Sequence, residues 1–318
     1  MVGVRHWRTA DPRDVIVANE IFSFSWPTAA DHRDLQRSLG RRGVLRPLLC
    51  VAGKGSQLAL VAGGRRLAWA GSVGLKAVPV AVLEDCGPGE LWGRLLADAQ
   101  DHRPLNPVEV GLYLRRRTAH TGETLGALES EVLPALGLSS RAAAAEDVLW
   151  VSGLPPEHRH GFADGSRPLH AARLLRGASP EDSLAVLAVT HGLLGGINKF
   201  TDLVRILLEC AWRDGVPVAE WVATHGLDST ATGLEALREQ VRRRRYPHLS
   251  RWEEAFPAAV AGAGLPSRVS IHPPGGFEGG RYQCRMTFST LDELHQNLLT
   301  VLERLEEGRL APLQEFLA

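Results

Sequence analysis

Two glycines followed by two arginines, Gly63-Gly64-Arg65-Arg66, close the apolar run Leu58-Ala59-Leu60-Val61-Ala62. Glycine at such a turn lets the backbone take positive φ and come close to a ligand. A helix starting there would add its first N–H groups to the two guanidiniums, and together they would suit a phosphate. Leu67, Ala70 and Val73 recur at three-residue spacing and predict that helix. The competing reading is a plain surface turn that Arg65 and Arg66 cap with salt bridges.

Other residue types that do chemistry give less. Cys50, Cys86, Cys210 and Cys284 lie far apart without paired spacing, so a zinc or redox motif is not expected and buried free thiols are. His272 and His295 are isolated. Arg242-Arg243-Arg244-Arg245 closes a helical pattern, where the helix dipole favours cations; a solvated helix end competes there with contact to DNA or an acidic partner.

The bulk properties bound the function class. A length of 318 residues suggests about two or three domains. With 44% hydrophobic residues the chain can bury an ordinary core. The formal charge is zero, which argues against a surface coated in basic residues, but residues 1–118 carry 17 Lys and Arg against 11 Asp and Glu. An anion would therefore be drawn to the first third. No stretch reaches the roughly 18 apolar residues of a membrane span, and the first residues lack a signal-peptide core. The expectation is a cytoplasmic protein.

The elements that must position the turn follow from apolar patterning. Strands are predicted at Val15-Ile16-Val17, from Val44 to Val51, from Leu58 to Ala62 and from Val78 to Leu83, and a helix from Asp31 to Leu39. Strands alternating with short helices predict a compact mixed domain.

In that order the first third resembles the N-terminal domain of the ParB family. The family's G-x-x-Q-P-L, its G-E-R-R turn and its v-P-v strand are matched by Gly43 to Leu48 (Arg46 replacing Gln), by Gly63 to Arg66, and by Val78-Pro79-Val80. Asp98 to Glu109 is similar to the family's E-N-x-x-R followed by L-N-P-x-E. The resemblance implies a ParB/sulfiredoxin-like fold that binds CTP. By position it assigns the nucleotide phosphates to Gly63, Gly64, Arg65, Arg66, Gln100 and Arg103. The turn's acid is Gly64 here, and the E-N pair is Ala99-Gln100. Neither Gly nor Ala can ligate Mg²⁺ or accept a proton, so CTP hydrolysis is not expected from these positions. Gly64 also stands where sulfiredoxin has its reactive Cys, which removes that reading.

The middle third reads as helix, Gly137-Leu138-Ser139-Ser140 turn, and a second helix over residues 141 to 152. That is the outline of a helix-turn-helix. Leu154-Pro155-Pro156 and the segment from Gly165 to Leu175 resemble the ParB central domain. DNA contact is assigned to Ser139, Ser140 and Arg141. Residues 119–177 hold 5 Arg, no Lys and 7 acids, a poor electrostatic match to DNA. In the last third, Thr232 and Glu235 form a capping-box pattern, and Tyr246-Pro247 stops that helix. Arg268 to His272 and the alternating Tyr282 to Phe288 read as strands, the second half-buried. A helix with Leu291, Leu294, Leu298, Leu302 and Leu305 on one face follows, and its apolar side suits packing or a dimer.

The expected architecture is α+β in three parts: a ParB-like domain over 1–118, an all-helical helix-turn-helix domain over 119–215, and a small α/β module over 216–318. The leading expectation is a homodimeric, nucleotide-regulated DNA-binding protein of partition or gene regulation. The alternative is a degenerate relative acting as a scaffold for protein partners.

Overall fold

The structure, a computed structural model, describes residues 6–17, 20–53, 55–84, 86–101, 103–129, 134, 142–227, 233–278 and 281–316. It is a mixed α+β molecule, mostly helical with a small sheet. The chain forms two compact units, 1–237 and 238–318. No helix among the described residues is long and apolar enough to cross a membrane.

The first unit opens on a five-stranded mixed sheet in the order β1-β5-β3-β4-β2. Its strands are β1 (His6–Ala10), β2 (Val15–Ile16), β3 (Leu48–Ala52), β4 (Leu58–Ala62) and β5 (Val78–Leu83). β3 is central, parallel to β5 and antiparallel to β4, with Cys50 paired to Val82 on one side and to Leu60 on the other. Leu48, Cys50, Leu60, Val78, Val80 and Val82 form its core with Ala70 of the covering helix. β4 and β5 match their sequence-predicted bounds. β3 starts at Leu48 rather than Val44. Pro47 lacks a backbone donor, and the Arg46 and Pro47 carbonyls accept from Arg66 instead.

The helices of this sheet region are α1 (Ala29–Arg42), α2 (Gly64–Ser72) and α3 (Pro88–Gln100). α1 extends beyond its expected Asp31–Leu39 because a capping box starts it. The Thr28 hydroxyl accepts from the Asp31 N–H at 3.2 Å, and the Asp31 carboxylate accepts from the Thr28 N–H at 2.9 Å.

Next comes α4 (Pro107–Thr121), buried continuously from Val108 to Leu114. It packs on α6 (Ala142–Gly153) at very close range. A Cβ on Gly111 would lie 2.0 Å from the Val148 carbonyl oxygen, so only glycine fits there. Tyr113 of α4 meets Phe24 and Trp92 edge-on, each with centroids 5.3 Å apart, while Phe24 and Trp92 are tilted against each other. The short α5 (Leu125–Glu129) precedes α6, and the expected Gly137-Leu138-Ser139-Ser140 turn lies outside the described residues. The rest of the unit is helical: α7 (Pro156–Ala163), α8 (Leu169–Arg176), α9 (Pro180–Val189), α10 (Ile197–Asp214) and α11 (Val218–Thr224).

The second unit begins inside α12 (Leu234–Arg245). The expected cap Thr232 lies outside the described residues. Tyr246-Pro247 does end α12, but Pro247 then opens a further helix, α13 (Pro247–Gly262), because proline fits the first helical position. β6 (Val269–His272) and β7 (Gln283–Met286) pair antiparallel, followed by α14 (Leu291–Glu306). Phe256, Leu313 and Phe316 make the core. The expected half-buried β7 is corrected: Tyr282 and Met286 are half-buried, whereas Cys284 and Phe288 are exposed. A two-stranded sheet buries little unless a helix covers it, and α14 leaves Leu291, Leu298, Leu302 and Leu305 at 45–77% exposure. The expected burial of all four thiols fails for the same reason at Cys284 and is incomplete at the half-buried Cys86, while Cys50 and Cys210 are buried.

Candidate functional site

Gly63 is the N-cap of α2 with φ of +105°, the conformation that glycine supplies at least cost. No side chain caps this end, so the first N–H groups of α2 lack an intrahelical acceptor. A Cβ at Gly63 would meet Leu48 Cδ2 at 2.7 Å and the Arg66 fork at 3.3 Å, so backbone, strand and guanidinium are tightly gathered.

The two arginines of the turn behave differently. Arg66 is 8% exposed and points back into the domain. Its Nη1 donates to the Arg46 and Pro47 carbonyls at 3.1 and 2.8 Å, and its Nη2 to Asp98 at 3.5 Å. Burial holds its pKa below the ordinary arginine value, and Asp98 opposes that. Arg66 therefore ties the turn to the residues that lead into β3.

Arg65 is half-buried, and its Nη1 is buried without a hydrogen-bond partner. Burial lowers its pKa, the nearby Arg103 adds to the effect, and Glu109 and Asp31 pull the other way. Those two carboxylates are already occupied. Glu109, 1% exposed, accepts from both terminal nitrogens of Arg103 at 2.8 Å, from the Trp26 N–H at 2.8 Å and from the Asn106 N–H at 3.2 Å. Four bonds fill the capacity of a carboxylate. Asp31 takes two donors from Thr28 and lies 3.1 Å from Arg103 Nε. The Glu109 bonds raise the Arg103 pKa above its ordinary value, against the opposing effect of burial.

Glu109 is the residue that sequence reasoning passed over. Asn106-Pro107-Val108-Glu109 is a capping box with proline at the first helical position, and that pattern was readable. The part played by Trp26 was not, because it joins residues 83 positions apart.

The structure thus brings Gly63, Gly64, Arg65, Arg66 and Arg103 to one end of the sheet, with Arg103 already held by carboxylates. Gln100 ends α3, which also carries Asp98. Asp101, beside it, lies 3.8 Å from Arg46. Ser139, Ser140 and Arg141 lie outside the described residues. Within α6, Ala145, Asp147, Val148 and Val151 are buried, and Arg176 reaches Glu146 at 2.8 Å and Asp147 at 3.4 Å. The arginine run of α12 turns inward on its own unit: Arg242 meets Glu253 at 2.6 Å, Arg243 meets Glu254 at 3.2 Å, and Arg245 lies over the Tyr246 ring.

No family model and no curated protein matches the chain. Among solved structures it is similar to the C-terminally truncated chromosome-partitioning protein ParB from Caulobacter crescentus complexed with CTP-gamma-S. That match is 22% identical, covers 57% of this chain and 97% of the other, and has a TM-score of 0.27. The same protein complexed to the centromeric parS site matches at 22% identity over 62% and 97% of the two chains, with a TM-score of 0.29.

Proposed function

We propose that the first 118 residues hold a nucleotide by its phosphates at the N-terminus of α2, as in a divergent ParB-like protein of the cytoplasm. The observation that carries this reading is Arg65, whose buried Nη1 has no partner although two carboxylates stand nearby. A desolvated guanidinium near carboxylates already engaged by other donors is relieved by a mobile anion. Gly63 and Gly64 bring main-chain N–H groups to the same place, and CTP is the nucleotide that the family resemblance implies. Arg66 and Arg103 shape the pocket, with Gln100 at its edge. Hydrolysis is not part of the proposal. Asp98 and Asp101, which flank Ala99 and Gln100, are paired with Arg66 and Arg46, and Gly64 carries no carboxylate for Mg²⁺.

Calorimetric titration with CTP, ATP, GTP and UTP tests the reading. Binding of one of them, abolished in Arg65→Ala, is expected. Absence of heat with all four removes the nucleotide function.

The resemblance extends the proposal to DNA binding in partition or gene regulation, through residues 139–141 of a helix-turn-helix domain over 119–215. The α/β module over 216–318 is proposed to make the protein a homodimer. The exposed leucine face of α14 supports this, since a contiguous apolar surface of that kind marks an interface. Sedimentation at equilibrium should give twice the chain mass, and Leu298→Asp with Leu302→Asp should return a monomer. A monomeric wild type would end the dimer reading. A stable partner co-purifying with that monomer would favour the scaffold alternative.

A further inference from the structure

The second unit holds a recess between its sheet and the stretch that follows α14. Ile271 of β6 and Cys284 of β7 stand opposite each other in register, so their side chains share one face of the sheet. Tyr282, two positions before Cys284, lines the same recess. α14 ends in a glycine reversal. Gly308 has φ of +72°, its N–H donates to the Leu305 carbonyl at 3.1 Å, and the Arg309 N–H donates to the Arg304 carbonyl at 3.0 Å. The reversal brings Leu310 and a 3-10 turn (Ala311–Phe316) back beside this face of the sheet. The Tyr282 hydroxyl donates to the Phe316 carbonyl and so fixes one wall to the core of the unit.

Between these walls lies a cavity of about 380 Å³. That is inside the range of small-molecule sites, about 300–1,000 Å³. Its walls are mainly aliphatic, from Ile271, Leu305, Leu310, Ala311 and Leu313, and Gln314 adds an amide. No Asp, Glu, Lys, Arg or His stands among the described residues that line it. An ionised group taken into it would lose its water without gaining a counter-charge. The Cys284 thiol is free and exposed, so the recess opens to solvent on that side. Nine residues line the cavity, against the roughly 20 to 30 that one side of a stable protein interface presents. The recess therefore fits a small molecule better than a second copy of the chain.

We propose that this recess binds the hydrocarbon chain of a small neutral amphiphile, a linear alkyl or acyl chain with one uncharged polar head. The aliphatic walls gain from burying methylenes, and the Gln314 amide offers both a donor and an acceptor to the head. A closed apolar cavity of about 150 Å³ holds benzene, so 380 Å³ takes a chain of about twelve to fifteen carbons. The site lies within the second unit and does not depend on the nucleotide reading of Arg65. Leu305 belongs both to this lining and to the exposed face of α14, so the test includes the variant designed to be monomeric.

The test uses the full chain with 1-hexanol, 1-octanol and 1-decanol as probes. The readout is the rate at which a maleimide labels Cys284, followed by mass in the peptide that contains it. Occupancy should slow labelling, and the concentration giving half protection should fall about three- to four-fold per added methylene. Octanoate, with a charged head on the same chain length, should protect several-fold less well than 1-octanol. Ala311→Phe puts a ring into the recess from an exposed position. It should weaken 1-decanol about tenfold, as if about two methylenes were displaced, whereas Ala311→Ser should match wild type. Leu298→Asp with Leu302→Asp should keep the protection. The proposal is overturned if 1-decanol leaves the labelling rate unchanged or if affinity does not rise with chain length. It is overturned equally if octanoate protects as well as 1-octanol, or if Ala311→Phe is protected like wild type. Protection seen only in the Leu298→Asp, Leu302→Asp variant would overturn it in favour of a second copy as the occupant.

Discussion

Arg103 and Glu109 meet fork to fork, with two hydrogen bonds of 2.8 Å, one to each carboxylate oxygen. The same carboxylate caps α4 and holds the Trp26 main chain, so it joins three separate stretches of sequence. Removing it leaves the Arg103 fork with only Asp31 and the Pro104 carbonyl, and strands two main-chain donors. Glu109→Ala should cost about 3 kcal/mol of stability, as for a broken buried ion pair. Urea unfolding measures this, and a loss within about 0.5 kcal/mol, typical of a surface site, would contradict the assigned role.

The α4–α6 contact allows no methyl group at residue 111. A Cβ there would lie 2.0 Å from the Val148 carbonyl and 2.7 Å from Ser152 Cβ, and neither is the free end of a long side chain. Gly111→Ala is expected to destabilise by about 3 kcal/mol, the upper range for overpacking, although alanine is the better helix former. Thermal unfolding decides between the two effects by sign.

Gly64 offers the opposite case. A Cβ at this position meets only Leu60 Cδ2, at 3.8 Å, and the residue occupies the first helical position of α2. Gly64→Glu should therefore fold and gain about 0.5–1 kcal/mol from helix propensity and the dipole. If the nucleotide proposal holds, the same variant supplies the missing acid, and phosphate release with Mg²⁺ is the measurement to make on it.

Acid should unfold the first unit through Asp31 and Glu123. Burial pushes the Asp31 carboxyl up, but its bonds to Thr28 and the charge of Arg103 outweigh that and hold it below the ordinary range. Glu123 is held low by Arg117 and then by Thr121. A carboxylate depressed in the folded state stabilises above its unfolded pKa, about 4, and that stability is lost as pH falls through the folded value. Asp31→Asn should flatten the fall in stability below about pH 4; an unchanged acid limb would refute the assignment.

Thiol reactivity should separate the cysteines. Cys284 is exposed, whereas Cys50 is buried and burial raises its pKa to about 11. A thiol reagent under native conditions should label Cys284 first and leave Cys50 and Cys210 untouched until unfolding. Cys284→Ser should remove the fast phase.

Much of the sheet was legible because β4 and β5 are apolar runs bounded by turn residues, and the start of α2 because Gly63-Gly64 punctuates it. β1 was not legible. His6 to Ala10 carries no apolar alternation, and its strand state comes from antiparallel pairing with β5, a contact between distant positions. The site divides in the same way. Arg65 and Arg66 could be read as adjacent cations, yet one turns inward to carbonyls and the other keeps a bare nitrogen, which only the fold decides. Arg103 was assigned to phosphate from its place in a motif, whereas the structure joins it to Glu109 and Asp31. The exposure of α14 likewise depended on what covers it, and amphipathic spacing carries no information about that.

The unbroken burial of α4 from Val108 to Leu114 has a mechanical consequence. A helix without a free face over two turns can neither roll nor slide unless every neighbour repacks. Glu109 and Arg115 are six residues apart, about 9 Å of helical rise. Glu109 and Arg115 thus sit on one rigid ruler. A displacement at either end must reappear at the other with its length and direction preserved.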